Sequence, residues 1–215
     1  MLTLDEVQLA IAFDQPKLRA HMVGEQILIE GGYLVLESGA TVAPGGPITE
    51  FAIRIEVSNR YPNLEPKVFE VDGRIPRCPD RHINGDGDCC VTVWEHWLAT
   101  SADHSIGSFI NGPLNEYFLG QFWFEKTGTW PFGERSHGDA GMEEAYADAL
   151  GVANRREALI YHLRLLSQEW PKGHWACPCG GGKIVRHCHR EELMSLHRKV
   201  APRIAKRMLR RLTAS

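Results

Sequence analysis

The feature that most constrains this chain is a short run of soft metal donors, Cys177-Pro-Cys179, eight intervening residues, then Cys188-His189. Three thiolates and one imidazole form a donor set with which zinc closes a tetrahedral shell. The intervening Gly180-Gly181-Gly182 lets the backbone turn tightly between the two ligand pairs. A closed shell leaves no position for substrate, so the expectation is a structural Zn2+ held by Cys177, Cys179, Cys188 and His189. A segment this small owns no core, and metal binding would supply its folding free energy. His174, His187 and His197 lie nearby and read as surface histidines. The plain alternative is a loop with incidental reduced cysteines.

The remaining cysteines, Cys78, Cys89 and Cys90, form a second cluster. Vicinal pairs such as Cys89-Cys90 bridge poorly, so the six cysteines read as ligands or reactive thiols in a reducing compartment. The chain of 215 residues has 43% hydrophobic and 24% charged residues, enough for a core without disulfides and not a disordered composition. No run approaches about 18 apolar residues, and the first residues carry no basic and apolar leader. The expected location is the cytoplasm, with no membrane partner. The net charge of -3 offers no global basic field, so nucleic acid is not an expected partner.

The first twenty residues read as a short helix, with Val7, Ala10, Ile11 and Leu18 loosely on one face. Strand-like runs follow at 26–30, 33–37, 51–57 and 67–71, with Gly31-Gly32 and Pro44-Gly45-Gly46-Pro47 as turns. Strands in succession without helices between them predict an antiparallel meander. Residues 76–88 read as irregular loop, 105–125 as helix interrupted near Gly112-Pro113, and 130–138 as loop. Helices are expected over 142–150 and 155–167. From Arg190 to Arg211 eight Lys and Arg face two Glu, and Leu193, Val200, Ile204, Met208 and Leu212 supply an apolar stripe for one basic helix. The fold class is α+β, with a small metal-built appendage.

The C-terminal cluster resembles the SEC-C zinc-binding motif through Cys177, Pro178, Cys179, Gly180, Gly182, Lys183, Cys188 and His189, with Gly181 replacing the usual serine. That resemblance implies a small docking module. Residues 1–125 resemble the catalytic core of ubiquitin-conjugating (E2) enzymes. Tyr61, Pro62 and Pro66 stand where that family has a YPxxPP-like turn. His82-Ile83-Asn84 stands for HPN, and Gly87 lies three residues before Cys90. Val91 and a downstream tryptophan, Trp97, complete the pattern. Ile83 replaces the proline, Asn84 is two residues closer to the cysteine than usual, and Trp97 is one residue closer. The pattern is nearer to the divergent E2-like proteins of bacteria than to eukaryotic ones.

The resemblance implies a UBC-like domain over 1–125, followed by a loop and helical extension over 126–170 and the zinc module with its basic helix over 171–215. It implies that Cys90 accepts a ubiquitin-like protein from an E1-like activating enzyme as a thioester and passes it to an amine on a protein acceptor. A JAB-type peptidase is a further partner of such systems. Asn84 would stabilise the oxyanion or order the loop, His82 would buttress it, and Asp103 would help deprotonate the acceptor. Cys89 falls where the family has an apolar residue, and His137 is a remote candidate for the site. Three other readings stay open: a second zinc site of Cys78, His82, Cys89 and Cys90; a cysteine peptidase with His82 or His96 as base; and an E2-like binding module without transfer.

Overall fold

The computed structural model describes residues 1–37, 46–131, 133, 135–168 and 170–214. The chain is α+β, with a four-stranded antiparallel sheet in the order β1-β2-β3-β4 and eight α-helices among the described residues. It divides into two compact units, Met1–Thr92 with Asp103–Glu134, and Val93–Ala102 with Arg135–Ser215.

In the first unit, α1 (Leu4–Ala12) begins with a capping box, in which Thr3 and Glu6 satisfy each other's backbone N–H groups. The helix stops at Ala12, and Leu18, expected on it, instead opens β1 (Leu18–Val23). The second correction concerns Gly31-Gly32. These residues do not end a strand but lie inside β2 (Gln26–Val35), where Gly31 pairs with Leu18 on one side and Ile53 on the other. Gly31 holds a φ of +132°, and a Cβ there would come within 2.3 Å of the Lys17 carbonyl oxygen. Glycine is required, and the strand passes through it. The turn expected at Pro44-Gly45 lies outside the described residues.

Strands β3 (Thr49–Ser58) and β4 (Lys67–Glu70) complete the meander. On β3 the period-two pattern buries Phe51, Ile53, Ile55 and Val57. Helices α3 (Ile106–Asn111) and α4 (Pro113–Thr127) meet at Gly112-Pro113 as expected, with proline at the first helical turn, where its missing N–H costs nothing. Phe118 of α4 packs its ring 4.8 Å from Phe51 and 5.4 Å from Tyr33. The buried Asn115 side chain accepts from the Leu36 N–H and donates to its carbonyl, both at 2.9 Å. These bonds fasten α4 to the end of β2.

The second unit is helical. Helix α2 (Trp94–Thr100) joins α5 (Gly138–Leu150), α6 (Arg156–Leu166), α7 (Arg190–Lys199) and α8 (Pro202–Ala214). The single basic helix expected over 190–211 is two, because Pro202 cannot continue α7 and instead starts α8. Leu159, Leu163, Ile204, Met208 and Leu212 form its core with Trp94 and Tyr146. Glu95, 1% exposed, accepts from Arg207 at 2.5 Å and from Arg211 and Tyr146 at 3.1 Å. A smaller core of Leu165, Val185 and Leu193, flanked by Tyr161 and Trp175, ties the Cys/His segment to α6 and α7. No helix among the described residues is long and apolar enough to cross a membrane.

Candidate functional site

The metal-ligand segment is ordered by its own backbone. Cys177 N–H donates to the Lys183 carbonyl at 2.9 Å, Val185 N–H donates to Trp175 at 2.8 Å, and Ala176 and Ile184 form a bridge. The turn between them uses Gly180 and Gly182 at φ of +76° and +72°, values glycine adopts without strain. Gly181 N–H donates to Cys179 Sγ at 3.4 Å. A single 3-10 turn, Val185–His187, then delivers Cys188 and His189 to the start of α7.

Four ligand atoms converge there, all within 4.8 Å of one another. His189 Nδ1 lies 3.4 Å from Cys177 Sγ and 3.2 Å from Cys188 Sγ, and Cys179 Sγ lies 3.5 Å from Cys188 Sγ. A tetrahedral ion with thiolate bonds of about 2.3 Å has edges of about 3.8 Å, so the cluster is the size of such a coordination shell. Burial opposes ionisation of Cys177, but the Cys179 backbone N–H and the His189 imidazole outweigh it and hold the thiol at about 6. Hydrogen bonding to Cys179, then burial and Cys177, push the Cys188 thiol up to about 11. Crowded thiols cannot all ionise beside one another unless a cation neutralises them. The donor set, its size and its charge therefore fit a metal ion. Among the described residues this is the one such group of three or more His, Cys, Asp or Glu. Cys78, His82, Cys89 and Cys90 do not form a second.

The other cysteine loop belongs to the first unit. A 3-10 turn, Pro79–Arg81, leads to His82, whose φ of +51° makes it the one described non-glycine residue with positive φ. Its carbonyl accepts from Cys90 N–H at 2.7 Å, while Ile83 and Cys89 form a bridge. Gly87, at φ +87°, turns the chain between them. Cys89 N–H donates to Val68 of β4 at 2.7 Å, which fixes the loop to the sheet edge. Adjacent residues on an extended segment face opposite ways, so Cys89 is buried and Cys90 is exposed. Burial pushes the Cys89 thiol up to about 11.

Asn84 donates its side-chain amide to Asp88 at 3.0 Å, and its backbone N–H to the Asp88 carbonyl at 2.8 Å, closing the loop on itself. Asp103 accepts from Ser108, from Ser105 Oγ at 2.7 Å and from Ser105 N–H at 2.9 Å. Those bonds, that of Ser108 first, bring its carboxyl down to about 2. Ser105 in turn caps α3. Trp97 and His96 are on α2 of the second unit, where Trp97 stacks on Trp94 at 4.7 Å and His96 bonds Asp148 at 2.8 Å. His137, at the start of α5, also lies in the second unit.

Residues the sequence did not single out hold the thiol loop from below. Tyr117 donates toward the carbonyls of Arg81 and His82 at 3.3 Å, and Gln121 exchanges bonds of 2.7 and 2.8 Å with Arg81. Arg81 also lies over the Phe124 ring, and the Trp130 ring meets His82 edge-on at 4.8 Å. Tyr117 and Gln121 sit one turn apart on α4, an i, i+4 polar pair on a buried face. That spacing was the available signal. Comparison of the chain with family models, with curated proteins and with solved structures gave no match.

Proposed function

We propose that the first unit is an E2-like carrier, in which Cys90 accepts a ubiquitin-like protein as a thioester. The observation that carries this reading is the alternation at the loop: Cys89 is buried against the sheet edge, and Cys90 next to it is exposed on a backbone held by His82. The element order, α1, a four-stranded meander, the cysteine loop and then helices, agrees with that family's order. The Cys90 thiolate would attack the carbonyl of a modifier thioester on an E1-like enzyme and expel the E1 thiolate. An acceptor amine would then attack the new thioester. The carbon–sulfur bond breaks, an amide forms, the amine proton passes to solvent and the Cys90 thiolate returns.

In this reading His82 and Asn84 order the loop. Asp103, held at about 2 by three donors, is a weak base near neutral pH and here braces Ser105, the cap of α3. Cys177, Cys179, Cys188 and His189 hold one structural zinc, which takes no part in transfer. The acceptor and any JAB-type peptidase enter as separate proteins.

The test is a charging assay with an E1-like enzyme, its ubiquitin-like protein and ATP. Wild type should give an adduct that thiol reductant removes, and Cys90→Ser one that resists it. No adduct beside a demonstrably active E1 sinks the carrier reading for that pair. The second reading, a binding module without transfer, is favoured by the Asn84–Asp88 bond, which engages the amide that would otherwise face a thioester. It requires that Cys90→Ala leave partner binding and function unchanged.

A further inference from the structure

A groove of about 810 Å³ lies wholly within the second unit, walled by α6, α7, the α5–α6 connection and the edge of the Cys/His segment. That volume is in the range of ligand pockets. Its apolar lining comes from Leu150, Val152, Leu193 and Leu196.

Each wall carries one stripe. On α7, Glu192, Ser195, Leu196 and Lys199 line the groove at i, i+3, i+4 and i+7. On the α6 side Arg155, Ala158 and His162 line it at i, i+3 and i+7. Lys199 Nζ donates to the Ala149 carbonyl at 3.2 Å, which brings the end of α7 beside the connection that carries Arg155. Both cations therefore stand at one end of the groove. Glu191 and Glu192 stand at the other, where α7 leaves the Cys/His cluster, and Glu192 is about 10.5 Å from Lys199 along the helix.

Ordinary helix electrostatics explains α7, with acids in its first turn and cations in its last. It does not explain Arg155. This residue is the N-cap of α6, where a side-chain oxygen usually accepts from the N–H groups of the first turn, and no side chain caps the helix. A cation there adds to the positive end of the macrodipole. Glu157, exposed in the first turn, neither caps the helix nor pairs with Arg155. Lys199 has donors left beyond the one that Ala149 takes. Open N–H groups and two cations thus surround a position that suits a carboxylate. Further along α6, His162 Nδ1 bonds the Ala158 carbonyl at 2.8 Å, so in the neutral ring Nε2 is an acceptor, and among the described residues nothing donates to it.

We propose that this groove binds the C-terminal segment of a peptide that ends in an aliphatic residue and carries Lys or Arg three positions before it. The terminal carboxylate takes the end formed by Arg155, Lys199 and the start of α6. The aliphatic side chain takes the apolar lining, and the basic side chain takes Glu191 and Glu192. Three residues of extended chain span about 10 Å, matching the separation of the charged ends. A single amino acid is too short to reach both, and a polymer of one charge is repelled at one of them. The α5–α6 connection lines the cationic end, where a continuing chain would meet it, so a chain terminus fits better than an internal acidic residue. The inference is independent of thioester transfer, since it uses no residue of the Cys90 loop.

The experiment is fluorescence anisotropy of the full-length, metal-loaded protein with an N-terminally labelled peptide ending in Lys-Ser-Ser-Leu and a free carboxylate. Amidating that carboxylate should weaken binding about tenfold to hundredfold, the worth of a charge-assisted contact. Glutamate in place of the peptide's lysine should weaken it about fivefold. Arg155→Gln/Lys199→Gln should lose the same factor as amidation and no longer tell acid from amide, with circular dichroism unchanged. Glu191→Gln/Glu192→Gln should no longer tell lysine from glutamate. Cys90→Ser should bind as wild type does, so failure of the carrier reading leaves this one standing. Absence of binding at 1 mM peptide overturns the proposal. So does an amidated peptide that binds as tightly, or an Arg155→Gln/Lys199→Gln variant that keeps its discrimination. Displacement by free leucine at the peptide's own concentration would make the ligand an amino acid. Equal binding of an amidated peptide with an internal aspartate would make it an acidic segment, and either result also overturns the proposal.

Discussion

At the scale of single residues, Cys89 and Cys90 show how one position along an extended backbone decides chemistry. Cys89, 6% exposed, sits behind β4 and is pushed up to about 11, whereas Cys90 faces solvent. Thiol reactivity follows the accessible thiolate, so iodoacetamide at pH 8 should alkylate Cys90 and leave Cys89 untouched until the protein unfolds, as peptide mapping would show. The buried thiol also has a stability signature. A raised thiol pKa means that the unfolded chain loses this proton first, near its ordinary 9.0. Stability is fully present below that pH and is lost as pH rises toward about 11. Denaturant titrations should show a falling alkaline arm that Cys89→Ala flattens; an unchanged arm would mean Cys89 is ionised or exposed. The candidate metal ligands were legible because all four lie within thirteen residues. The support beneath Cys90 was not, because Tyr117 and Gln121 reach Arg81 across 36 and 40 residues.

Among the elements, those with a clean period were legible and those buried on every side were not. The meander and the break at Gly112-Pro113 follow from alternation and from proline chemistry. Helix α2 escaped notice because Trp94, Glu95, Trp97, Leu98 and Ala99 are all buried, which leaves no polar face to reveal a helical period. The apolar stripe running from Leu193 to Leu212 hid the stop at Pro202, since both α7 and α8 contribute to it. Glu95 is the exception inside α2, a carboxylate that burial would neutralise but that Arg207 and Arg211 keep ionised below its ordinary value. Its removal takes a buried carboxylate away from two cations. Since the Arg207 and Arg211 side chains remain 28% and 51% exposed, Glu95→Ala should cost about 2–3 kcal/mol, less than a fully buried pair. The sign with pH follows from the lowered pKa. The contribution is present above the unfolded value of 4.5 and lost as pH falls through the folded one, so the variant's deficit should shrink in acid. Urea denaturation at pH 7 and pH 3.5 checks both points.

For the molecule as a whole, the two units differ in what holds them together. The first rests on a sheet whose inner face, Ile27, Ile29, Tyr33, Phe51, Ile53, Ile55 and Val57, is fully buried, and it contains no candidate metal ligand cluster among the described residues. The second has its helical core, but among the described residues the apolar packing of the segment from Trp175 to His189 is confined to a small cluster of Leu165, Val185 and Leu193 with two aromatic flanks. Burial of so few side chains, at roughly 1.5–3 kcal/mol each, does not offset the ordering of some fifteen residues at about 1–2 kcal/mol apiece. Metal coordination, worth about 10–16 kcal/mol in small zinc-dependent folds, is large enough to close that gap. Removing the metal with a chelator should therefore melt this segment, lower the calorimetric transition of the second unit and leave that of the first in place. Hydrogen exchange should rise over residues 175–189 while the strands stay protected, and acid should mimic the chelator, because protons compete for the thiolates and for His189. Equal loss of protection in both units would show that the metal stabilises the sheet as well; no loss in either would mean that the Cys/His segment holds its fold without an ion.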